Sequence, residues 1–281
     1  MDNISIQQFI KSALHEDIGA GDHTSLSTIP KNAIGKAKLL VKDDGIIAGI
    51  SLALDIFKAV DAGLKVDVLI EDGSVIKYGD IAFYVEGSAR SILAAERLVL
   101  NTMQRMSGIA TTTNQIVKEL SLTNTKVLDT RKTTPNLRFL EKWAVKIGGG
   151  VNHRFGLYDM ILIKDNHVDY AGGIANAIKA SKSYLTNNNL NIQIEIEVRN
   201  ETELAEVLNI GGVDRILLDN FNFEQLKKAV KIINKRFITE ASGGITPENA
   251  LDYAKCGVDF ISMGALTHSV KSLDMSLKAI I

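Results

Sequence analysis

The sequence has one cysteine and almost no net charge, and each of these features argues against particular kinds of binding site or protein. A single cysteine, Cys256, stands in 281 residues, so the chain can form no internal disulfide and no zinc site built from its own cysteines. We interpret Cys256 as a small buried residue, which fits a reducing compartment. The formal net charge is −1, from 32 basic and 33 acidic residues. Proteins that bind nucleic acid or a membrane surface usually carry a basic excess, so an anionic ligand would need a local cluster of cations here.

Long apolar runs are also absent. No stretch of the sequence reaches the ~20 apolar residues that span a membrane as a helix. The beginning of the chain, MDNISIQQFIKSALHED, has acidic residues and glutamines where a signal peptide has a basic start and an apolar block. We therefore expect a cytoplasmic protein without a membrane partner.

The first part of the chain, to about residue 108, mixes element types. ISIQQFIKSALHED predicts an amphipathic helix with Ile6, Phe9, Ile10 and Leu14 on one face. Alternating segments with turns at Asp72-Gly73 and Gly79-Asp80 then indicate strands. Residues 91–120 predict one or two long helices. A small antiparallel sheet with helices accounts for this region most simply.

From about Lys126 the pattern changes to short apolar runs, each followed by a helical segment. Strands that alternate with helices predict parallel βαβ units. Each run ends in polar or small residues, and polar groups at the carboxyl ends of parallel strands are typical of a barrel with its active site on that face. The region is shorter than the ~250 residues of an eight-unit barrel, so we expect fewer strands. We find six runs: KVLDT, DMILIKD, IQIEIEV, DRILLDN, FITEASG and DFISMGA.

ASGGITPENA, residues 241–250, is the first segment that suggests a ligand. Ser242, Gly243 and Gly244 follow a predicted strand, and Thr246-Pro247 suits the start of a helix. Glycines let backbone N–H groups approach a ligand, and a helix N-terminus carries partial positive charge. An ordinary strand–helix turn would have a similar composition. A second small-residue loop, SMGAL (262–266), follows the next strand and favours a phosphate site.

Cations gather around two other strands. Arg131 and Lys132 follow a strand in DTRKTTP, where a solvated basic turn is the alternative. His153 and Arg154 precede a strand in GGGVNHRFGLYDMILIKDNH, and Lys164 ends it. A strand-end lysine can form a Schiff base, hold an anion or extend into solvent. These cations form one site only if His153 and Arg154 lie at the same end of the strand as Lys164.

Two acids, Glu197 and Asp219, end adjacent predicted strands. They could bind Mg²⁺ directly or through water, hold ribose hydroxyls, stabilise a cationic transition state, or neutralise nearby lysines. Glu195 lies on the same strand face as Glu197, and the two carboxylates would repel each other unless cations or a metal lie between them. Arg97 interrupts an apolar helix, so it reaches either water or the site of a neighbouring subunit.

The motifs together closely resemble those of the quinolinate phosphoribosyltransferase family, also called nicotinate-nucleotide pyrophosphorylase (carboxylating). The main block is DTRKTTPNLRFLEKWAVKIGGGVNHRFGLYDMILIKDNHV, with EDIGAGDHT, AERLVLN, SGIAT, ILLDNF, EASGGI and ISMGALTHS in the family's order. The resemblance covers nearly the whole chain. It implies that quinolinate and phosphoribosyl pyrophosphate react, with Mg²⁺ as cofactor, to give nicotinate mononucleotide, pyrophosphate and carbon dioxide in NAD biosynthesis.

The resemblance also implies the fold and the assembly. The family has an N-terminal α/β open sandwich and a reduced, seven-stranded α/β barrel, one strand more than the runs found above. We therefore expect the sandwich at 1–108, the barrel at 109–265, and a C-terminal helix at 266–281 that packs back on the N-terminal domain. The family works as a homodimer, in some cases assembled further, in which Arg97 would enter the partner's site.

Site residues follow from the same motif match. The residues expected to bind quinolinate are Arg97, Thr130, Arg131, Lys132, His153, Arg154 and Lys164. Those expected to bind phosphoribosyl pyrophosphate are Lys132, Glu197, Asp219, Ser242, Gly243, Gly244, Met263, Gly264 and Ala265. Glu197 and Asp219 would also bind magnesium, and together with Lys164 they form the expected catalytic set.

Two alternatives stay open at this stage. A Schiff-base aldolase that uses Lys164 would account for a strand-end lysine and a phosphate loop, but not for Arg131, His153 and Arg154 around that lysine. A phosphate-ligand-binding relative with a shifted substrate is the other alternative. A monocarboxylate substrate such as nicotinate would need fewer cations than this sequence supplies.

Overall fold

The computed structural model describes the backbone of residues 3–280 and the side chains of residues 6–280. Within it the chain divides into two compact units. The first unit comprises residues 1–114, 134–149 and 269–281, and the second comprises residues 115–133 and 150–268. The fold is of the mixed α/β class, with an antiparallel sheet in the first unit and a parallel sheet in the second. The domain boundaries expected from the sequence stay a prediction.

A four-stranded antiparallel sheet organises the first unit. Its strands lie in the order β12-β1-β5-β3. The strands of this unit are β1 (Ile34–Val41), β2 (Gly45–Ile46), β3 (Lys65–Val68), β4 (Val75–Ile76), β5 (Ile81–Ser88) and β12 (Met275–Ile280). The short strands β2 and β4 pair separately. Leu39 of β1 is fully buried between Phe83 of β5 and Leu277 of β12, as expected for a strand with one face on a core.

The first unit also contains helices. The helices are α1 (Asn3–Ile18), α2 (His23–Thr28), α3 (Ile50–Val60), α4 (Ala89–Glu119) and α5 (Arg138–Ile147). The predicted helix α1 is confirmed, with Ile6 and Ile10 buried. Phe57 of α3 meets Phe83 edge-on at 5.7 Å between ring centroids, a favoured aromatic geometry.

The first glycine of the GGG segment has a packing role. Gly148 ends α5, and a Cβ atom on it would lie 2.5 Å from the carbonyl oxygen of Ala110 on α4. Only a glycine permits so close an approach of backbone to backbone.

α5 is also held by Glu141, a fully buried carboxylate that accepts hydrogen bonds from the guanidinium of Arg105 at 3.0 and 2.6 Å.

The predicted C-terminal helix over 266–281 is wrong. A four-residue helix α11 (Ala265–His268) is followed by strand β12, which pairs antiparallel with β1. The reason is the period of the apolar residues: Met275 and Leu277 are buried two positions apart, with Ser276 between them less buried. A two-residue period suits a strand with one face on a core and does not suit a helix.

The second unit contains a parallel sheet in the order β6-β11-β10-β9-β8-β7. Its strands coincide with the six predicted runs: β6 (Lys126–Leu128), β7 (Ile161–Ile163), β8 (Ile194–Val198), β9 (Arg215–Asp219), β10 (Ile238–Ser242) and β11 (Phe260–Ser262). The connecting helices are α6 (Asp165–Ala171), α7 (Ile174–Asn187), α8 (Glu201–Ile210), α9 (Phe223–Ile233) and α10 (Ala250–Ala254). All five residues of β8 are buried, as expected for a strand covered on both faces.

A seventh strand position lies beside β6. Val151 forms a single parallel bridge with Leu128, and the backbone N–H of Val151 donates to the carbonyl of Val127 at 2.9 Å. One residue is too short to give an apolar run, so no pattern in the sequence marks this strand. It supplies the strand missing from the six predicted runs.

Within the residues that the structure describes, no helix has the length and apolar character needed to cross a membrane.

Candidate active site

A cavity of about 830 Å³ lies in the second unit, within the size range of small-molecule sites. Most of the residues singled out from the sequence line it. They are Thr130, Arg131, Lys132, His153, Arg154, Lys164, Glu197, Asp219, Ser242, Gly243, Gly244, Gly264 and Ala265. They lie at or just after the carboxyl ends of β6 to β11 and of the short strand at Val151. The cavity therefore occupies the carboxyl edge of the parallel sheet, as the barrel prediction required.

The cations meet in this cavity. Arg131 and Lys132 follow β6, and Lys164 follows β7. His153 and Arg154 precede β7 in the chain, yet they line the same cavity as Lys164. This is possible because Val151 runs parallel to β6, so that residues 153 and 154 leave the carboxyl end of their own short strand. The condition set by the sequence for a single cationic site is therefore met.

Arg154 is held close to Arg131. The residue is 9% exposed, and its guanidinium donates to the carbonyl of Met160 at 3.2 Å. Burial, followed by repulsion from the charge of Arg131, lowers the pKa of Arg154. Two arginines that repel each other in a cavity are stabilised by an anion that contacts both.

Lys164 and Glu197 form an ion pair at the cavity, with 3.1 Å between Nζ and Oε2. Asp219 lies near both: burial, and then the charge of Glu197, raise its pKa, whereas Asn220 and Lys164 act in the opposite direction. A carboxylate whose ionisation is disfavoured by a neighbouring carboxylate suits a bound cation. Carboxylate oxygens are the ligands that Mg²⁺ prefers, so the donor set of Glu197 and Asp219 fits that ion.

The Ser242–Gly244 loop follows β10 and requires glycine at one position. Gly243 has φ of +96°, and a Cβ atom on it would lie 2.2 Å from the side-chain oxygen of Asn220. Gly244 also has positive φ, +62°, but faces open space. Backbone in this conformation leaves N–H groups exposed to an anionic ligand, which agrees with a phosphate site.

Two expected site residues lie elsewhere. Met263 is fully buried and is not among the residues that line the cavity. Arg97 lies on α4 of the first unit, with its side chain 60% exposed and 4.0 Å from Glu96. The cavity also has lining residues that we did not propose, although all stand in strand-end runs or motifs of the sequence: Leu162, Leu217, Asn220, Glu240, Ile245, Thr246, Ser262 and His268.

Glu195 and Glu197, the two acids expected on one face of β8, have different basic partners. Glu195 is fully buried, and Nε2 of His153 lies 3.0 Å from its carboxylate. Burial, and then the charge of Glu240, raise the pKa of Glu195 to about 7. Glu197 instead faces Lys164. Each acid of the pair thus has its own basic partner, as the sequence required.

The pKa of His153 reflects opposing effects. Burial, the largest single effect, lowers it, but the hydrogen bonds to Glu195 and Glu240 and the charges of these two residues together raise it more, and the net shift is upward. The backbone N–H of Arg154, which donates to Nδ1 of His153 at 2.7 Å, opposes that upward shift.

Family models match both parts of the chain. The quinolinate phosphoribosyl transferase N-terminal domain matches residues 22–107, and the C-terminal domain of the same family matches residues 109–278. The chain belongs to the quinolinate phosphoribosyltransferase family. It is 48% identical to the chloroplastic nicotinate-nucleotide pyrophosphorylase [carboxylating] of Arabidopsis thaliana, over 97% of this chain and 82% of that protein.

Two further relatives extend the likeness to bacteria. The probable nicotinate-nucleotide pyrophosphorylase [carboxylating] of Bacillus subtilis (strain 168) is 41% identical, over 99% of this chain and 94% of that protein. The solved structure of the nicotinate-nucleotide pyrophosphorylase from Francisella tularensis matches with a TM-score of 0.93 at 38% identity and covers 100% of this chain and 98% of that one. The family expected from the sequence is confirmed.

Proposed function

We propose that this protein is a carboxylating nicotinate-nucleotide pyrophosphorylase, a pentosyltransferase of NAD biosynthesis. It transfers the phosphoribosyl group of phosphoribosyl pyrophosphate to quinolinate and releases pyrophosphate and carbon dioxide. The observation that carries this proposal is the gathering of Arg131, Lys132, Arg154 and Lys164 with two acids in one cavity. The family membership and the names of the relatives support the same reaction.

The cations account for the substrate. Quinolinate carries two adjacent carboxylates, and arginine binds a carboxylate with two parallel hydrogen bonds. Arg131 and Arg154 disfavour each other until an anion joins them, and Lys132, Lys164 and Thr130 stand around them. A monocarboxylate would leave part of this charge unpaired, which is costly in a partly buried site.

The second substrate is assigned to the opposite edge of the cavity. The loops at 242–244 and 263–265 would hold its 5′-phosphate through backbone N–H groups. Glu197 and Asp219 would face the ribose and hold Mg²⁺, directly or through water, and the ion would neutralise the pyrophosphate leaving group. Lys132 would lie between the two substrates.

Bond making follows from this placement. The pyridine nitrogen attacks the anomeric carbon of the ribose as the bond to pyrophosphate breaks, and positive charge develops on the ribose. Glu197 and Asp219 stabilise that charge. The pyridinium then withdraws electrons from the adjacent carbon, the bond to its carboxylate breaks, carbon dioxide leaves, and the carbon takes up a proton. The cations mainly orient the substrate, because over-stabilising the departing carboxylate would slow the reaction.

The ion pair of Lys164 argues against the aldolase alternative. A Schiff-base lysine reacts as the neutral amine. Nζ of Lys164 is instead paired with the carboxylate of Glu197, 3.1 Å away. Lys164 is therefore assigned to anion binding.

The assembly and location are proposed on the family resemblance. The protein would act as a homodimer in the cytoplasm, with Arg97 of one subunit entering the site of the other. The exposed position of Arg97 on α4 is compatible with that role.

The whole proposal is tested by following release of carbon dioxide from quinolinate in the presence of phosphoribosyl pyrophosphate and Mg²⁺. Equal turnover of nicotinate would contradict it.

A further inference from the structure

Behind the cationic cavity lies a group of four buried ionisable side chains, here called the buried cluster: His153, Glu195, Arg215 and Glu240. Glu195 and Glu240 are fully buried, and the side chains of His153 and Arg215 are only 7% and 10% exposed. The members come from four separate chain segments: the stretch after Val151, and β8, β9 and β10. Only His153 and Glu240 reach the cavity.

His153 is held on three sides. Its Nε2 atom lies 3.0 Å from Glu195 and 3.4 Å from Glu240. Its Nδ1 atom accepts the backbone N–H of Arg154 at 2.7 Å, and its own backbone N–H donates to Asp129 at 2.8 Å. Both ring nitrogens thus face protein atoms. The ring fixes the backbone from which the Arg154 side chain starts.

Arg215 is the permanent cation of the cluster. Its guanidinium donates to Glu240 at 3.0 Å, lies 3.8 Å from Glu195, and stacks 4.6 Å above the ring of Phe260. A guanidinium that contacts two buried carboxylates holds both in a fixed place through its planar fork. Arg215 therefore keeps both carboxylates available to His153, although it does not itself line the cavity.

We propose that Arg215 is a positioning residue for dicarboxylate recognition, which acts through Glu195 and Glu240 on His153 and thereby on Arg154. The chemical identity of the dicarboxylate rests on the proposed function, whereas the chain of contacts from Arg215 to Arg154 does not. A histidine and two carboxylates could also bind a divalent metal, since their ligand atoms lie within 4.8 Å of one another. The guanidinium of Arg215 already supplies the positive charge in that place.

Calorimetric binding of each substrate separately to the full-length protein tests the proposal. We expect Arg215→Met to weaken quinolinate binding by about 10- to 100-fold, the loss that removal of an outer partner causes at metal-bound histidines. Binding of phosphoribosyl pyrophosphate should stay within about twofold, because the contacts of Arg215 are with Glu195, Glu240 and Phe260 and not with residues 242–244 or 263–265. Equal weakening for both substrates would indicate a general structural loss and would overturn the proposal.

Two further variants keep the test decisive. Arg236→Met removes an arginine whose guanidinium donates to the backbone carbonyls of Ile232 and Ile233 in α9, so it should leave both affinities unchanged. Arg215→Lys retains the charge but loses the planar fork. If Arg215→Met does not fold, Arg215→Lys should still weaken quinolinate binding selectively, by at least about threefold. Wild-type affinity in a folded Arg215→Lys or Arg215→Met protein would overturn the proposal.

A double-mutant cycle separates this inference from the proposed function. His153→Asn alone should weaken quinolinate binding. If Arg215 acts through His153, adding Arg215→Met to that variant should weaken quinolinate binding by less than about twofold more. Full additivity would overturn the inference even in an active enzyme. A wild-type protein that neither binds quinolinate nor releases carbon dioxide would instead refute the proposed function. In that case the thermal shifts of the single and double variants would still report whether Arg215 and His153 are coupled.

Discussion

Nζ of Lys164 lies 3.1 Å from Oε2 of Glu197, although the two residues end different strands and stand 33 positions apart in the chain. The pair joins one of the cations assigned to quinolinate to one of the acids assigned to the ribose and magnesium, and both residues line the cavity. The lysine side chain is 48% exposed, whereas the glutamate is 8% exposed. Lys164 can therefore turn from Glu197 to a bound anion.

Loss of Lys164 should affect catalysis strongly. We expect Lys164→Met to lower kcat/KM for quinolinate by about 10- to 150-fold, which corresponds to the ~1.5–3 kcal/mol of a hydrogen bond to a charged group. Steady-state kinetics at saturating phosphoribosyl pyrophosphate measure this. Lys228→Met is the matched control, since Lys228 forms an exposed pair with Glu201 away from the cavity, and it should be nearly neutral. Borohydride trapping of a carbonyl substrate on Lys164 would instead support the aldolase alternative.

The phosphate loop should tolerate a methyl group at one glycine better than at the other. Gly243→Ala combines positive φ with a clash against Asn220, whereas Gly244→Ala adds only the backbone strain, because it faces open space. We expect Gly243→Ala to weaken phosphoribosyl pyrophosphate binding by at least about tenfold more than Gly244→Ala, with quinolinate binding unchanged. Calorimetry measures both. Equal effects of the two substitutions would show that the approach of Gly243 to Asn220 does not matter.

The pKa of Asp219 should move in opposite directions in two variants. Glu197→Gln removes a negative charge that raises the pKa, so the pKa should fall; Lys164→Met removes a positive charge that lowers it, so the pKa should rise. Carbon-13 NMR titration of the labelled carboxyl measures the value without need of activity. A shift of the same sign in both variants would contradict the charge arrangement described here.

The shared site proposed for the homodimer can be tested by mixing subunits. Arg97→Ala and Lys164→Ala should each be nearly inactive as pure proteins. A mixed dimer would contain one complete site. It lies in the Arg97→Ala subunit, which keeps its own Lys164 and receives an intact Arg97 from the Lys164→Ala partner. Random exchange makes half of the dimers mixed, so activity should recover to about a quarter of the wild-type value. No recovery after demonstrated exchange would refute the entry of Arg97 into the partner's site.

Much of the fold and the cavity could be predicted from local sequence. The six strand runs were visible because each is a short apolar stretch closed by polar residues, and Arg131, Lys164 and Asp219 are side chains of that kind. Parallel strands bring their carboxyl ends to one edge, so residues far apart in the chain could be assigned to one site. The motif resemblance then named the chemistry.

The remaining features depend on contacts that no local pattern records. Val151 is a one-residue strand, and its pairing with β6 places His153 and Arg154 at the same end as Lys164. β12 was mistaken for a helix because its six residues are too few to make a two-residue period stand out. Arg215 stands at the start of its strand, where we expected no functional group, and its partners Glu195 and Glu240 lie 20 and 25 positions away.

The most direct test of the account follows the carboxylate that quinolinate is expected to lose. The protein should be incubated with Mg²⁺, phosphoribosyl pyrophosphate and quinolinate labelled at the carboxylate next to the ring nitrogen, with nicotinate as the competing substrate. We predict labelled carbon dioxide in equal amount to the nicotinate mononucleotide formed, no release without phosphoribosyl pyrophosphate, and negligible turnover of nicotinate. Release of carbon dioxide without phosphoribosyl pyrophosphate, or turnover of nicotinate at the same rate, would contradict the account.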